Sequence, residues 1–588
     1  MRELTADLLV GRLVDWGIDT VFGLPADSAD GVFEAFARHG GRIRLVLVHH
    51  EEAAALMAAG YAKATGRVGV CLATSGPGAL RLLGGLYDAK LDHQPVLAVT
   101  ETQEIRLLGT SFRQELALET AFDDVADYNV RVNVPVQIPA VVDIGIGHAL
   151  ARGTVSHITF PPGLEETAVE TSPWMLTTPT GSPPTAPLFT AGPGVPPDAD
   201  LSRAAEVLNE GTRVTLLVGA GGLEAREELL AVADAVAGPV VKSLPGKAAV
   251  PDDHPFTTGC IGVLGTRPSE EALEGADTLL LVGTSFPWAA SVPDPAKVRA
   301  IQIETDPARL GGSGATEVTL LGDAAETLGA LLPLLSRKAD RGFLEQAQAG
   351  MAAWRRRLDE LEDQTHDPIQ PQYLMRVVDR CAAPDAILAS DSGTVATWSA
   401  RHFDVRGDRH YLLSANLATI AAGVPYAIAA QWAHPGRGCI AVTGSDGVAQ
   451  VLGELLPAIQ YRLPVKVVVV TMFEPGEDAG EVRHDQADEG DRPARGGGGA
   501  GAHHCLHAMA PDPPDAEEPE SHDSTSAFRK PSGRSAIASI AAPRSSSAAS
   551  GLLVIAWRTR RMRSSLRWTW ESSARSCWRA WAGATRAG

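Results

Sequence analysis

The sequence predicts an α/β protein of three doubly wound parallel-sheet domains followed by an irregular C-terminal tail. Three observations carry this. Short runs rich in β-branched residues and Leu, such as Ile43 to Val48, Val214 to Val218 and Val465 to Val470, alternate with helical patterns. Strands alternating with helices make parallel sheets covered by helices. Several of the runs end in glycine-rich turns, among them Thr74-Ser75-Gly76-Pro77-Gly78, Gly219-Ala220-Gly221-Gly222 and Thr443-Gly444-Ser445-Asp446-Gly447. Two changes of character, a Pro/Thr/Gly-rich stretch and a charged helical stretch, divide the alternation into three blocks. A chain of 588 residues is long enough for three or four domains.

The elements follow in order. Residues 1–165 form the first domain. Leu4 to Trp16 is an amphipathic helix, Thr20 to Leu24 a strand, Gly31 to His39 a helix and Ile43 to Val48 a buried strand. Ala53 to Ala64 is an Ala-rich helix and Val68 to Ala73 a strand. After the Gly76-Pro77-Gly78 turn a helix runs to about Lys90, and Pro95 to Thr100 is a strand. Residues 166–198 are a linker. The central domain, 199–340, has strands at Val214 to Val218, Thr278 to Val282 and Val298 to Ile303. Residues 341–368 hold a connecting helix, Leu344 to Asp363. In the third domain, 369–475, Ala386 to Ala389 leads into Ser390-Asp391-Ser392-Gly393-Thr394. Gly438 to Val442 leads into the Gly444 turn, and Val465 to Val470 is a long apolar strand.

Residues 476–588 are of another character. By count, 477–523 hold 13 acidic and 3 basic side chains, whereas 524–588 hold 1 acidic and 12 basic. Five of the eleven Trp fall in the last 32 residues, and no helix or strand period is sustained. A basic aromatic arm for a membrane surface or nucleic acid has this composition. The abrupt onset after an apolar strand reads instead as disorder or as translation out of frame.

Hydrophobic residues make up 45% and charged residues 21%, as in water-soluble globular proteins. A net charge of −20 argues against nucleic acid as a partner of the whole chain. Cys71, Cys260, Cys381, Cys439, Cys505 and Cys577 are scattered with no CxxC pair, which fits neither a zinc site nor a disulfide framework and points to a reducing cytoplasm. No secretory signal or membrane-length apolar run is visible.

The stretch Val48-His49-His50-Glu51-Glu52-Ala53-Ala54 places Glu51 at the carboxyl end of a strand where a helix begins. Ligand sites lie at that edge in open α/β sheets. Taken alone, Glu51 and Glu52 are first-turn carboxylates that complement the helix dipole. Further motifs share the chain: Val21-Phe22-Gly23-Leu24-Pro25, Gly60-Tyr61-Ala62-Lys63-Ala64-Thr65-Gly66, Ser75-Gly76-Pro77-Gly78, Leu86-Tyr87-Asp88-Ala89, Asp92-His93-Gln94-Pro95, Pro251-Asp252-Asp253-His254-Pro255, Gly262-Val263-Leu264-Gly265-Thr266-Arg267-Pro268-Ser269, Val282-Gly283-Thr284-Ser285-Phe286-Pro287, Pro371-Gln372-Tyr373 and Asp391-Ser392-Gly393-Thr394. As an ordered set over residues 3–470, the chain resembles the thiamine-diphosphate-dependent enzymes of the pyruvate oxidase, quinone-dependent pyruvate dehydrogenase and acetolactate synthase group.

The resemblance implies a pyrimidine-binding first domain, a flavin- or nucleotide-type central domain and a diphosphate-binding third domain. It implies a homodimer or homotetramer with the coenzyme between the first domain of one subunit and the third of another. It casts Glu51 as the carboxylate that activates the coenzyme, with His93 and Gln114 near the substrate. Pro25, Gly76, Pro77 and Gly78 would line the pyrimidine side. Ser392, Gly393, Thr394, Gly444, Ser445 and Asp446 would hold the diphosphate side, and Ile420 would prop the coenzyme. Gly219, Gly221, Thr284, Ser285, Phe286, Glu304 and Asp306 match flavin (FAD) contacts. The implied reaction is decarboxylation of a small, pyruvate-like 2-oxo acid with electrons passing to flavin; an acetolactate-forming carboligase is the alternative.

The implied magnesium site departs from the family pattern. Ser445 takes the place of the family aspartate, Asp446 that of a glycine, and Thr471-Met472 stands where Asn-Asn is expected. Hard oxygen ligands suit magnesium, and a thioether does not. Either Asp446 binds the ion one position along, or the site is broken and the chain is an impaired relative that only binds and oligomerises.

Overall fold

The computed structural model describes residues 3–24, 30–164, 167–169, 194–284, 293–294, 296–312, 316–362, 369–471 and 553–558. Pro25, Ser285, Phe286 and Met472, most of the linker and most of the tail lie outside them.

Three parallel sheets form three α/β domains. The short strand β1 (Glu3–Leu4) precedes the first sheet, which comprises β2 (Thr20–Gly23), β3 (Arg44–Leu47), β4 (Gly69–Ala73), β5 (Val96–Glu101), β6 (Tyr128–Arg131) and β7 (Val155–Phe160), in the order β3-β2-β4-β5-β7-β6. Every residue of β4, β5 and β7 is buried, as expected of central strands covered by helices on both faces. The start of the linker is tied back: β8 (Ala168–Val169) pairs antiparallel with β1, and Thr5 donates both its amide and its hydroxyl to the Thr167 carbonyl.

The central sheet has β9 (Val214–Val218), β10 (Val240–Lys242), β11 (Thr257–Cys260), β12 (Thr278–Val282), β13 (Arg299–Glu304) and β14 (Thr316–Leu321), in the order β11-β10-β9-β12-β13-β14. The third has β15 (Ile387–Ser390), β16 (His410–Leu412), β17 (Cys439–Gly444), β18 (Lys466–Thr471) and β19 (Leu553–Arg558), in the order β16-β15-β17-β18-β19. β19 differs from the expectation of a tail without strand pattern. It runs parallel to β18, with Lys466 opposite Leu553 and Thr471 opposite Arg558. The free edge of β18 offers unpaired peptide groups, and Leu553-Val554-Ile555 is an apolar, β-prone run able to take them.

One hydrophobic core unites the first and third domains. Ala54 to Ala59 of the Glu51–Thr65 helix pack with Tyr426 to Ala430 of the Gly423–Ala433 helix, above strand residues such as Ala441 and Val467. The contact depends on small side chains. A Cβ on Gly60 would lie 2.7 Å from the Tyr426 ring, so the Ala/Gly composition lets the two helices approach closely. The Gly342–Leu361 helix follows the central domain, close to its expected span.

Candidate functional site

In each sheet the chain leaves a central strand in both directions. These reversals fall between β2 and β4, between β9 and β12, and between β15 and β17. Crevices at the carboxyl ends of such strand pairs are where open α/β sheets bind ligands. The glycine-rich turns after β4, β9 and β17 all fall there.

At the first reversal, Glu51 opens the Glu51–Thr65 helix and is 5% exposed. Its Oε2 lies 3.4 Å from Nη1 of Arg81, a half-exposed side chain on the short helix after the glycine turn. A Cβ on Gly78 would stand 3.1 Å from Glu51 Oε1 and 2.9 Å from Thr74 Oγ1. Gly76 has φ +67°, and a Cβ there would come within 2.8 Å of the Gln114 Cβ. The structure therefore brings Glu51, Gly76, Pro77, Gly78 and Gln114 together, with Gln114 itself at φ 67°. The turn runs so close to Glu51, Thr74 and Gln114 that a side chain at Gly76 or Gly78 would collide with them, so the carboxylate lies directly against backbone. In the sequence Arg81 shows only as a cation on the helix issuing from the glycine turn.

His93 lies apart from these residues. It sits just before β5, with φ 57°, and its carbonyl is 2.7 Å from where a Gly153 Cβ would be, next to the start of β7. In a parallel sheet the starts of β5 and β7 lie on the edge opposite the end of β3. His93 is thus across the sheet from Glu51, because the loop that carries it enters a strand rather than leaving one. Its neighbour Asp92 instead joins the domains, accepting from Lys63 Nζ at 2.7 Å, the Ala415 amide at 2.9 Å and the Asn416 amide at 2.8 Å.

At the third reversal Asp391, which was not singled out as a site residue, organises the turn. Its Oδ1 accepts the Gly423 amide at 2.7 Å and its Oδ2 the Thr443 hydroxyl. Burial raises its carboxyl above the ordinary value, against the pull of those donors. Gly447 has no alternative, since a Cβ there would fall 2.0 Å from Asp391 Oδ2. Ser392 donates to the Ser414 carbonyl at 3.0 Å, and Ser414 Oγ accepts the Thr419 amide at 2.9 Å. These bonds shape the loop that presents Ile420, which is 50% exposed. Ala418 and Ala421 flank it at φ 55° and 75°, strain of the kind that gathers at ligand sites. Gly393 has φ +83° and precedes the helix that Thr394 opens; Gly444 ends β17.

Two described carboxylates, Asp391 and Asp446, stand at the Gly444 turn. Asp446 is exposed on the first turn after Ser445, and the Asp391 carboxylate is spent on internal donors. Among the described residues no group of three or more His, Cys, Asp or Glu side chains is placed to share a metal ion.

At the central reversal, Gly219 and Gly221 meet Gly283 and Thr284. A Cβ on Gly219 would lie 2.2 Å from the Gly283 carbonyl oxygen, and the Gly221 amide donates to that oxygen at 3.1 Å. The close approach of two backbone turns accounts for these glycines. Glu304 Oε1 accepts the Thr305 amide at 2.8 Å, and Asp306 Oδ1 accepts the Ala308 amide at 2.9 Å. Both carboxylates shape the turn after β13. Position at a switch point fits a nucleotide-type ligand, although the named side chains are occupied with their own backbone.

Three doubly wound sheets, the first with a buried glutamate against a glycine turn at its switch point, define a protein of the coenzyme-binding α/β class. Residues 4–126 match the thiamine pyrophosphate enzyme N-terminal TPP binding domain, 201–331 the central domain and 391–471 the C-terminal TPP binding domain. The chain belongs to the thiamine pyrophosphate enzyme family. It is 36% identical over 491 residues, 83% of each chain, to YdaP of Bacillus subtilis, a protein to which thiamine pyrophosphate is attributed. It is 32% identical over 475 residues to the pyruvate oxidase of Lactiplantibacillus plantarum, covering 80% of this chain and 77% of that one. With the acetolactate synthase large subunit of Corynebacterium glutamicum it shares 31% over 481 residues, 80% of this chain and 75% of that one. The match to the C-terminal domain stops at 471, where the sequence changes character. Among the described residues no helix is long and apolar enough to cross a membrane.

Proposed function

We propose that the chain decarboxylates a small, pyruvate-like 2-oxo acid with thiamine diphosphate and passes the electrons to a flavin at the Gly219–Thr284 switch point. The observation that carries this reading is the buried Glu51 carboxylate set beside the Gly76–Gly78 backbone. A coenzyme held by Glu51, Gly76, Pro77 and Gly78 would supply a nucleophilic carbon and an electron sink for the loss of carbon dioxide from a 2-oxo acid. Glu51 holds and shares the proton this requires, and its burial makes that hydrogen bond strong. The Gly76–Gly78 turn orients the ring by backbone contact, while Gln114 and Arg81 border the open side where a carboxylate substrate enters. Ile420, presented by its strained loop, supports the coenzyme from the third domain.

The site is shared between two copies of the chain in this reading. Ile420 and Phe112 are each about half exposed on the single chain. The experiment is pyruvate consumption by the purified protein with thiamine diphosphate, magnesium and an artificial electron acceptor. Acceptor-dependent release of carbon dioxide is the expected result. Acetolactate formed without an acceptor would replace the oxidative reading with a carboligase.

A second reading, an impaired relative that binds and oligomerises, is favoured by one observation: among the described residues Asp446 is the one exposed carboxylate at its turn, where a metal-bound diphosphate needs several oxygen ligands. Absence of saturable heat on titrating the folded protein with thiamine diphosphate and magnesium would select it.

A further inference from the structure

Glu454 belongs to none of the turns described above, yet it reaches the head of the Glu51 helix from the third domain. It ends the short 3-10 turn Leu452–Glu454 and is 1% exposed. Its Oε1 accepts the His49 amide at 3.0 Å, and the His50 amide also bears on the same carboxyl. His50 is the N-cap of the Glu51–Thr65 helix and its side chain makes no cap hydrogen bond. Orphan amides at a helix start need an acceptor, and here the third domain provides one just ahead of the cap. The His50 carbonyl in turn accepts the Ala53 amide at 3.0 Å and the Ala54 amide at 3.3 Å, which closes the turn that carries Glu51. A second tether runs alongside: the Leu47 amide donates to Tyr461 Oη at 2.9 Å. The other carboxylate oxygen, Oε2, is buried without a hydrogen-bond partner. A fold that needed only a filled space would not bury an ionisable group at this point.

We propose that Glu454 is a positioning residue for Glu51, holding the His49 and His50 peptides so that the first helical turn presents the Glu51 carboxylate to the crevice. Burial pushes the Glu454 carboxyl up to about 7, against the amides that pull it down. The domain that carries the Gly444 turn thereby also sets the geometry of the activating carboxylate on its own chain. The catalytic half of this proposal rests on the role given to Glu51 above; the structural half does not.

The test uses the full-length protein and two readouts. Amide hydrogen exchange over residues 47–54 reports the tether without turnover. Steady-state kinetics with pyruvate and an electron acceptor report its consequence. In Glu454→Ala, exchange over 47–54 rises about tenfold or more, the effect of losing a charge-assisted bond. There kcat falls by a similar factor while KM for pyruvate stays within about twofold, since the lost alignment is that of Glu51 and not of substrate contacts. Glu454→Gln keeps an acceptor on the same stem and restores both. Should the alanine variant not fold, Glu454→Asp, one methylene short of the His49 amide, shows the same changes in smaller measure. Unchanged exchange in both Ala and Asp variants overturns the tether. Raised exchange with unchanged kcat overturns the positioning role. An inactive wild type would defeat the proposed reaction, yet the exchange readout would still decide the tether.

Discussion

Replacing Lys63 by Met removes a buried cation from the junction of the first and third domains. Lys63 Nζ donates to Asp92 at 2.7 Å, to Tyr426 Oη at 2.7 Å and to the Leu413 carbonyl at 2.9 Å, and lies 3.4 Å from Asp88. Both aspartate side chains are at most 5% exposed. Burial raises the Asp92 carboxyl, but Lys63 and the Ala415 and Asn416 amides outweigh it and hold the group below the ordinary range. Methionine fills most of the volume and leaves two buried carboxylates without their cation. Breaking a buried pair from one side costs about 3–5 kcal/mol. Urea unfolding followed by Trp fluorescence measures the loss, and the double variant Lys63→Met with Asp92→Asn should lose less than the sum of the singles. The Leu413–Asn416 segment that Lys63 and Asp92 hold leads to Ile420, so coenzyme affinity by calorimetry should fall as well. A loss below about 1 kcal/mol, the size of an exposed pair, would refute the reasoning.

Other perturbations follow from the same geometry. Gly78→Ala puts a methyl 3.1 Å from Glu51 Oε1 and 2.9 Å from Thr74 Oγ1; turnover should fall by about tenfold or more for a displacement of a few tenths of an ångström, with little change in a thermal melt. Because Asp446 is the one exposed carboxylate described at its turn, and Asp391 beside it is engaged by Gly423 and Thr443, thiamine diphosphate affinity should differ by less than about tenfold between magnesium and EDTA buffers; a larger loss in EDTA would show a complete metal site. Glu454 links stability to pH. Its folded-state carboxyl is raised from 4.5 to about 7, so below pH 4.5 it is protonated in both states. Between 4.5 and 7 only the unfolded chain gives up the proton, and stability is lost as pH rises, by about 3 kcal/mol in all. His49, His50, Glu51, Glu52 and Tyr461 are titratable on the neighbouring segments and stay in place in Glu454→Gln, so subtracting that variant's profile from the wild type isolates Glu454.

The fold was legible wherever strands are buried on both faces. Val214–Val218 and Thr278–Val282 are predicted at their observed bounds because β-branched and Leu runs between glycine turns leave no competing helical period. The Glu51 turn was legible because strand, acidic residue and Ala-rich helix follow each other directly. What was not legible depended on direction or distance. His93 lies in a recognisable motif, but a motif does not say whether its loop enters or leaves a strand, and here it enters β5. Arg81 and Asp391 acquire meaning only from the partners they meet. Glu454 meets His49 across 405 residues, a separation that no local pattern spans. The strand at Leu553–Arg558 was hidden by a surrounding composition without period; its place comes from the open edge of β18.

The central claim is that Glu51 activates the coenzyme. Glu51→Gln keeps the size and one acceptor of the side chain and removes its proton-sharing carboxylate. Calorimetric affinity for thiamine diphosphate should then stay within about tenfold of wild type while 2-oxo acid turnover falls by about a hundredfold or more. Turnover at the wild-type rate with coenzyme bound would contradict the account.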